Sequence, residues 1–453
     1  MAVLRLVAVL ALFTVSKAQA SLMGDPPSPG DQQLAAEPPA APEAPAAPEA
    51  PAAPAAPAAP AAPAAPPATE NVLRPYGTFN ARVVMASAAV ESFNQPNEVA
   101  PTAAGHPVLA IQPGKARFSF HVDQSRFGLW VNEKGTLRGQ VEVDFVDFAK
   151  ATPTVQALPR LRIARVDWVL APGHTLSLGQ DWDLASPLNA HGINMVGALF
   201  VAGNTGFMRQ QLKYLHTRDA YEVGLALGFP GANPTARDAA FELGFTPTVA
   251  ARGAYKFGAS RVGASVIATR LTYSLGTPEE RRGTSYQGTL YAELAPTPAT
   301  SVRMELNFGQ NTANLGMLSL SQGRTDKDMR DMGGFVSARQ SLTAQHAVYA
   351  MVGLQRVVNL DDVVPAYAYP PVPEGQRPPI STAALSGTGP GILRNGAARL
   401  GYEFKPGTAL ALVVEGFLYQ SHHVLQAPDA EELGGGGGRR RAVGLETGMI
   451  FTF

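Results

Sequence analysis

Cysteine is missing from the whole 453-residue chain. Its absence excludes a disulfide framework, a thiolate metal site and a lipidated N-terminal cysteine together. An excess of one charge is missing too, because 36 Lys and Arg stand against 36 Asp and Glu; the chain has no basic footprint for nucleic acid. Long hydrophobic runs are also lacking. Beyond Arg74 no apolar stretch reaches the roughly 18 residues that a membrane-spanning helix needs.

What is present begins with MAVLRLVAVLALFTVSKAQA, which has an apolar run from Leu6 to Val15 and the small-x-small site Ala18-Gln19-Ala20. Residues 1–20 read as a secretory signal peptide, since the run is too short to span a bilayer and a polar, Pro-rich stretch follows it. Residues 21–73 are low in complexity. Their AAP repeat carries only Glu43 and Glu49 as charges at its centre, cannot build a core, and is expected to be a disordered, semi-rigid polyproline spacer rising about 3.1 Å per residue. A passive tether is one reading of it and a cell-wall contact the other.

From residue 74 to 453 the recurring unit is a segment of alternating polarity bounded by turn residues. In TLRGQVEVDF, Leu137, Val141, Val143 and Phe145 share one face while Arg138, Gln140, Glu142 and Asp144 share the other. SVRMELNFG repeats the pattern, with Val302, Met304, Leu306 and Phe308 opposing Arg303, Glu305 and Asn307. One face suits lipid and the other water.

Connection lengths alternate as well. Short turns are expected at Asn132 to Gly135, Ala171 to Gly173, Thr217 to Asp219, Gly258 to Ser260, Pro296 to Pro298, Thr343 to Gln345 and Pro406 to Gly407, with long loops between them. Tight periplasmic turns and long external loops are the plan of an outer-membrane barrel. The fold class expected is therefore all-β, a transmembrane antiparallel β-barrel of about 16 strands behind a disordered Pro/Ala-rich N-terminal extension. The segment AAFELGF at 239–245 would add a seventeenth strand and is assigned to a loop, because an even count returns both ends to the periplasm. The chain stops on GLETGMIFTF. Leu445, Met449, Phe451 and Phe453 alternate there like the C-terminal sorting signal of Gram-negative outer-membrane proteins.

The segments RPYGTFNARVV, QSRFGLW followed by GQVEVDF, RIARVDWVLAPGHTLSLGQDW and the Phe ending resemble the sixteen-stranded trimeric porins, and within them most nearly the DcaP-like porins. The DcaP-like extension is a predicted coiled coil, whereas this one is Pro/Ala-rich. The resemblance implies a homotrimeric water-filled channel in the outer membrane for passive diffusion of small hydrophilic solutes, among them carboxylates. It also implies that the third long loop, Asp183 to Gly206, folds into the lumen as a constriction. The apolar run from Met195 to Ala202 fits a loop buried against the wall, or alternatively in a subunit interface, and makes Asn189, His191 and Asn194 candidates for the eyelet. Unlike general porins, the loop has no acidic cluster.

By alternation Arg138, Arg165, Arg209, Lys213, Arg252, Lys256, Arg303 and Arg399 should face the pore, together with Glu142, Asp144, Asp167, Glu222, Glu293, Glu305 and Glu403. Each is either a solvated lumen side chain paired across strands or a determinant of selectivity, and the basic residues near the constriction favour a weak preference for anions. No metal site, cofactor or catalytic residue is expected. His121, Asp123 and Ser125 in HVDQS lie close in sequence but have no special geometry as members of one strand. The alternative function is an adhesion or ligand-binding barrel without an open pore, suggested by VPAYAYPPVPEGQRPP and by GGGGGRRR, whose Arg439, Arg440 and Arg441 could meet lipopolysaccharide phosphates. Membrane lipid and the outer-membrane assembly machinery complete the expected partners.

Overall fold

The computed structural model describes residues 72–90, 100–101, 107–108, 111–112, 116–146, 158–195, 197–206, 208–229, 246–273, 281–315, 317, 320, 328–360, 392–423 and 439–453. The expected signal peptide, nearly all of the spacer, the segment 239–245, the Pro-rich loop beyond Leu360 and the glycine run at 434–438 lie outside the described residues.

The strands follow one another around a single closed antiparallel barrel. They are β1 (Leu73–Ala86), β2 in two halves (Arg117–His121 and Arg126–Val131), β3 (Leu137–Asp144) and β4 (Arg160–Ala171). Next come β5 (His174–Trp182), β6 (Met208–Thr217), β7 (Tyr221–Gly228), β8 (Thr248–Phe257) and β9 (Ser260–Tyr273). The circuit continues with β10 (Arg281–Thr297), β11 (Thr300–Gln310), β12 (Arg330–Ser341) and β13 (His346–Val357). It ends with β14 (Ile392–Phe404), β15 (Leu410–His423) and β16 (Arg439–Thr452). Both halves of β2 pair with β1, so they fill one strand position and the barrel has sixteen.

The alternation legible in the sequence is the alternation of the wall. On β11, Leu306 and Phe308 are exposed on the outside while Glu305 and Asn307 are buried inside. Leu290, Val266, Leu225, Val141 and Leu400 extend this apolar outer belt around the barrel. No backbone N–H can be left open at bilayer depth, so the barrel must close. It does so through β1 and β16, paired from Thr78 with Thr452 to Ala86 with Gly444. At the rim of the short turns, Gly77 and Phe453 exchange two backbone hydrogen bonds of 3.1 Å. Leu445, Met449, Phe451 and Phe453 all lie on the outer face. The Phe453 ring joins those of Phe79 and Phe127 at centroid distances of 5.6 and 6.4 Å.

Register shifts occur at several points around the barrel, and two irregularities in its first quarter bear on the lumen. Between the pairs Thr78 with Arg126 and Arg82 with His121, three residues of β1 face four of β2, Val122 to Ser125. Between β3 and β4 the register shifts at Glu142 and Val143, which leaves Arg162 as the extra residue of β4. A one-residue insertion is a β-bulge, and it turns the following side chains over to the other face.

The hydrophobic core lies in the lumen. Leu188, Ile193, Ala198, Leu199 and Ala202 of the loop after β5 pack with inward side chains of the wall, including Val84, Phe335, Tyr349, Met351, Phe417 and Tyr419. A second cluster joins Leu184 and Ala185 of that loop to Ala226, Ala250 and Ile267 of the wall and to Leu315 and Met317. Leu315 ends a short 3₁₀ turn, Thr312–Leu315, that also folds inward.

Candidate functional site

The site is built on the loop from Asp183 to Gly206. At its root the Asp183 carboxylate accepts the backbone N–H groups of Ala185 (2.8 Å) and Ser186 (3.3 Å), a local turn that starts the chain inward. Glu305 of β11 then anchors the outgoing leg, accepting from Ser186 Oγ at 2.6 Å and from the Leu188 N–H at 2.8 Å. His191 follows. Its backbone N–H donates to Ser337 Oγ at 2.9 Å, and its ring nitrogens lie 2.8 Å from Ser337 Oγ and 3.3 Å from Ser301 Oγ. Since Ser337 Oγ already accepts the backbone N–H, its own proton is available for Nδ1, which leaves Nε2–H to meet Ser301. Burial, reinforced by the nearby Arg303 and Arg339 guanidiniums, lowers the His191 pKa to about 4, so the ring is neutral near pH 7.

The tip of the loop reaches the opposite side of the barrel. Asn80 Nδ2 of β1 donates to the Ile193 carbonyl at 3.1 Å, and Gln124 Nε2 donates to Asn194 Oδ1 at 2.8 Å. The Arg126 guanidinium donates to the Met195 carbonyl. On the return leg Asn307 Nδ2 donates to the Gly203 carbonyl at 2.8 Å, and Gln287 Nε2 donates to Thr205 Oγ1 at 2.8 Å. Here loop backbone lies directly on wall backbone. Gly203 has φ +108°, and a Cβ there would stand 2.1 Å from the Gly334 carbonyl, while one on Gly353 would stand 2.1 Å from the Ala202 carbonyl. Only glycine allows so close an approach. The loop thus lies inside the barrel along the wall from β9 around to β2.

Opposite the loop, the wall from β3 to β6 carries a ladder of paired charges. Arg160 holds Asp144 with bonds of 2.8 and 2.6 Å, and Arg162 bridges Glu142 (2.7 Å) and Asp144 (3.1 Å). Arg138 lies 3.3 Å from Asp167, and Arg165 lies 3.4 Å from Asp167. Asp181 takes both Arg165 and Lys213. The Arg165 guanidinium also sits 5.6 Å from the Trp130 ring centre. A second group lines β7 to β14, with Arg252 on Glu222 (2.6 Å), Arg261 and Arg303 on Glu293 (3.0 and 2.9 Å), and Arg339 on Glu403 (2.6 Å).

Among solved structures, the chain is similar to the outer-membrane channel DcaP of Acinetobacter baumannii, at 13% identity and a TM-score of 0.56, over 84% of this chain and 97% of that one. The fold is that of DcaP. More distant are an anion-selective porin from Comamonas acidovorans (12% identity, TM-score 0.47, 84% of this chain and 99% of that one) and OprB of Pseudomonas putida (11%, 0.47, 84% and 94%). No protein-family model matches the chain, and no curated protein matches it.

In this DcaP-like barrel the basic wall residues and the loop candidates of the sequence analysis divide into three groups. Arg138, Arg165, Arg252, Lys256 and Arg303 are half-buried on the inner wall, and Lys213 lies with them against Asp181. Arg209 and Arg399 also point inward but are covered. Arg209 donates to the Leu315 carbonyl under the 3₁₀ turn, and Arg399 is enclosed with Glu415, Glu446 and Tyr419 in the core that the loop seals. Asn189 and His191 are half-buried on the loop, whereas Asn194 is buried at its pinned tip. Strands β6 and β8 carry no acid of their own, and the partners of Lys213 and Arg252 come from the adjacent strands, Asp181 of β5 and Glu222 of β7.

Arg126, Arg160, Arg162 and Asp181 also join the wall and were not singled out. Counting by twos from Arg165 sends Arg160 and Arg162 to the lipid face, and the extra residue in β4 brings both inside.

Proposed function

We propose that this chain is an outer-membrane porin, a water-filled channel for passive diffusion of small hydrophilic solutes, with the permeation path running between the Asp183–Gly206 loop and the β3–β6 wall. The observation that carries this reading is the inversion of polarity: apolar side chains face outward around the barrel, charged ones face the lumen, and a long loop narrows that lumen without leaving the barrel. A sixteen-stranded barrel without such a loop leaves a wide aqueous channel.

The channel prefers anions weakly. Along the wall facing the loop, five cations (Arg138, Arg160, Arg162, Arg165 and Lys213) stand against four carboxylates (Glu142, Asp144, Asp167 and Asp181). Most are paired, so the surplus acts as a diffuse positive potential rather than as one binding site. The barrel works as a homotrimer, reached after export by residues 1–20, with residues 21–73 as a periplasmic spacer.

Planar-bilayer recording tests the reading. A steady ohmic conductance is expected, with a reversal potential in a KCl gradient displaced towards that of chloride and the displacement shrinking as salt rises, because the Debye length falls from about 10 Å at 0.1 M to about 3 Å at 1 M. A folded, membrane-inserted barrel that never conducts would instead be an adhesion or ligand-binding barrel.

A further inference from the structure

We infer that the break in β2 at Val122–Ser125 is a latch for the tip of the lumenal loop, with Gln124 as its positioning residue. The inference rests on the channel reading for its significance but not for its geometry.

A strand break at bilayer depth gives up ladder hydrogen bonds that nothing in lipid can replace. Here three backbone N–H groups at the break find local partners. The Ser125 N–H bonds to the Val122 carbonyl at 3.1 Å, the Asn80 N–H of β1 bonds to Ser125 Oγ at 3.0 Å, and the Phe145 N–H of β3 bonds to the Asp123 carbonyl at 3.0 Å. These bonds from β1, β3 and the turn itself hold the irregularity in place.

What the break accomplishes follows from side-chain direction. His121 faces the lumen, so unbroken alternation would send Gln124 to the lipid face. The turn sends it inward instead, where it is fully buried. Its amide is matched to the loop at both ends: Nε2 donates to Asn194 Oδ1 at 2.8 Å, and Oε1 accepts the Met195 N–H at 2.8 Å. Asn80, the residue whose backbone Ser125 satisfies, holds the preceding Ile193 carbonyl. One irregularity therefore orders two side chains that grip three consecutive loop residues. These lie at the far end of a loop rooted on β5 and β6, and it is this end whose position sets how far the loop stands from the charged wall.

The chain's lack of cysteine makes the latch measurable without removing native thiols. Ile193 is fully buried in the latched tip, so in an Ile193→Cys variant, refolded and shown to be a heat-modifiable barrel, a water-soluble maleimide should label slowly. Adding Gln124→Ala and Asn80→Ala removes three hydrogen bonds between wall and loop tip, two of them buried, and labelling should accelerate on the order of tenfold or more. Adding Val122→Ala, on the outward side of the same turn, should leave the rate unchanged. If Ile193→Cys does not fold, the buried Ala198 serves as the labelling site. Equal labelling rates with and without Gln124 and Asn80 would overturn the latch, and so would equal acceleration by Val122→Ala. In bilayers the Gln124→Ala, Asn80→Ala variant should show open-channel flicker that the parent lacks. A parent that does not conduct refutes the porin reading, while the labelling rates still decide the latch.

Discussion

His191 shows how one side chain can make the loop responsive to acid. Its docked form is neutral with a pKa of about 4, because burial and the Arg303 and Arg339 charges oppose protonation, while Glu293 and Glu403 only partly offset them. An undocked loop would return the ring to about 6.5. The undocked state therefore binds the extra proton first as the pH falls. Docking is strongest above about pH 6.5, weakens progressively down to about pH 4, and loses nothing further from this group below that. Channel fluctuations are thus expected to grow between pH 6.5 and pH 4 in the parent. In His191→Asn, which cannot protonate, that pH dependence should flatten; an unchanged pH profile would assign the acid response to another group.

At the scale of the element, the lumenal loop acts through bulk and the strands facing it through charge. Deleting Met195 to Ala202 removes the apolar segment that holds the loop's return leg against Gly353 and is expected to raise conductance for all ions, in dilute and concentrated salt alike. Changing Arg138 and Arg165 to Gln leaves Asp167 with neither of its guanidinium partners and should shift the reversal potential towards cations. That shift should fade as salt approaches 1 M, with little change in conductance at high salt.

These elements also mark the limit of what the sequence displays. A wall whose outer face meets lipid and whose inner face meets water must alternate, so the sixteen strands and their seven short turns stand in the sequence as periodicity and turn residues. A bulge adds a single residue and leaves the local composition unchanged. The inward placement of Arg160 and Arg162 is therefore hidden by the same rule that assigns Arg165 to the lumen. The covering of Arg209 and Arg399 was hidden for another reason, because it depends on where two loops come to rest. The loop's apolar run was visible, but its docking points are side chains scattered over strands from β1 to β12.

For the molecule as a whole, the Pro/Ala-rich segment has no apolar face with which to join a core. Removing residues 26 to 70 is expected to leave heat-modifiable barrel yield and single-channel conductance unchanged. A truncated protein that fails to insert would show that the spacer takes part in assembly.

The core inside the lumen bears on the order in which the molecule can be assembled. Leu199 and Ile193 share one apolar cluster with Val84 near the start of the barrel and with Phe417, Tyr419 and Ala442 near its end. A nascent barrel lacking its last two strands has the loop but not Phe417, Tyr419 and Ala442, which complete its cover, and the loop's hydrogen bonds to the wall join residues 69 to 146 apart in sequence. Such contacts form late, because the entropy of bringing distant segments together must be met first. Sealing the seam therefore also completes the cover of the lumenal loop, and an intermediate arrested before β15 and β16 arrive would leave the apolar side chains of that loop partly exposed to water.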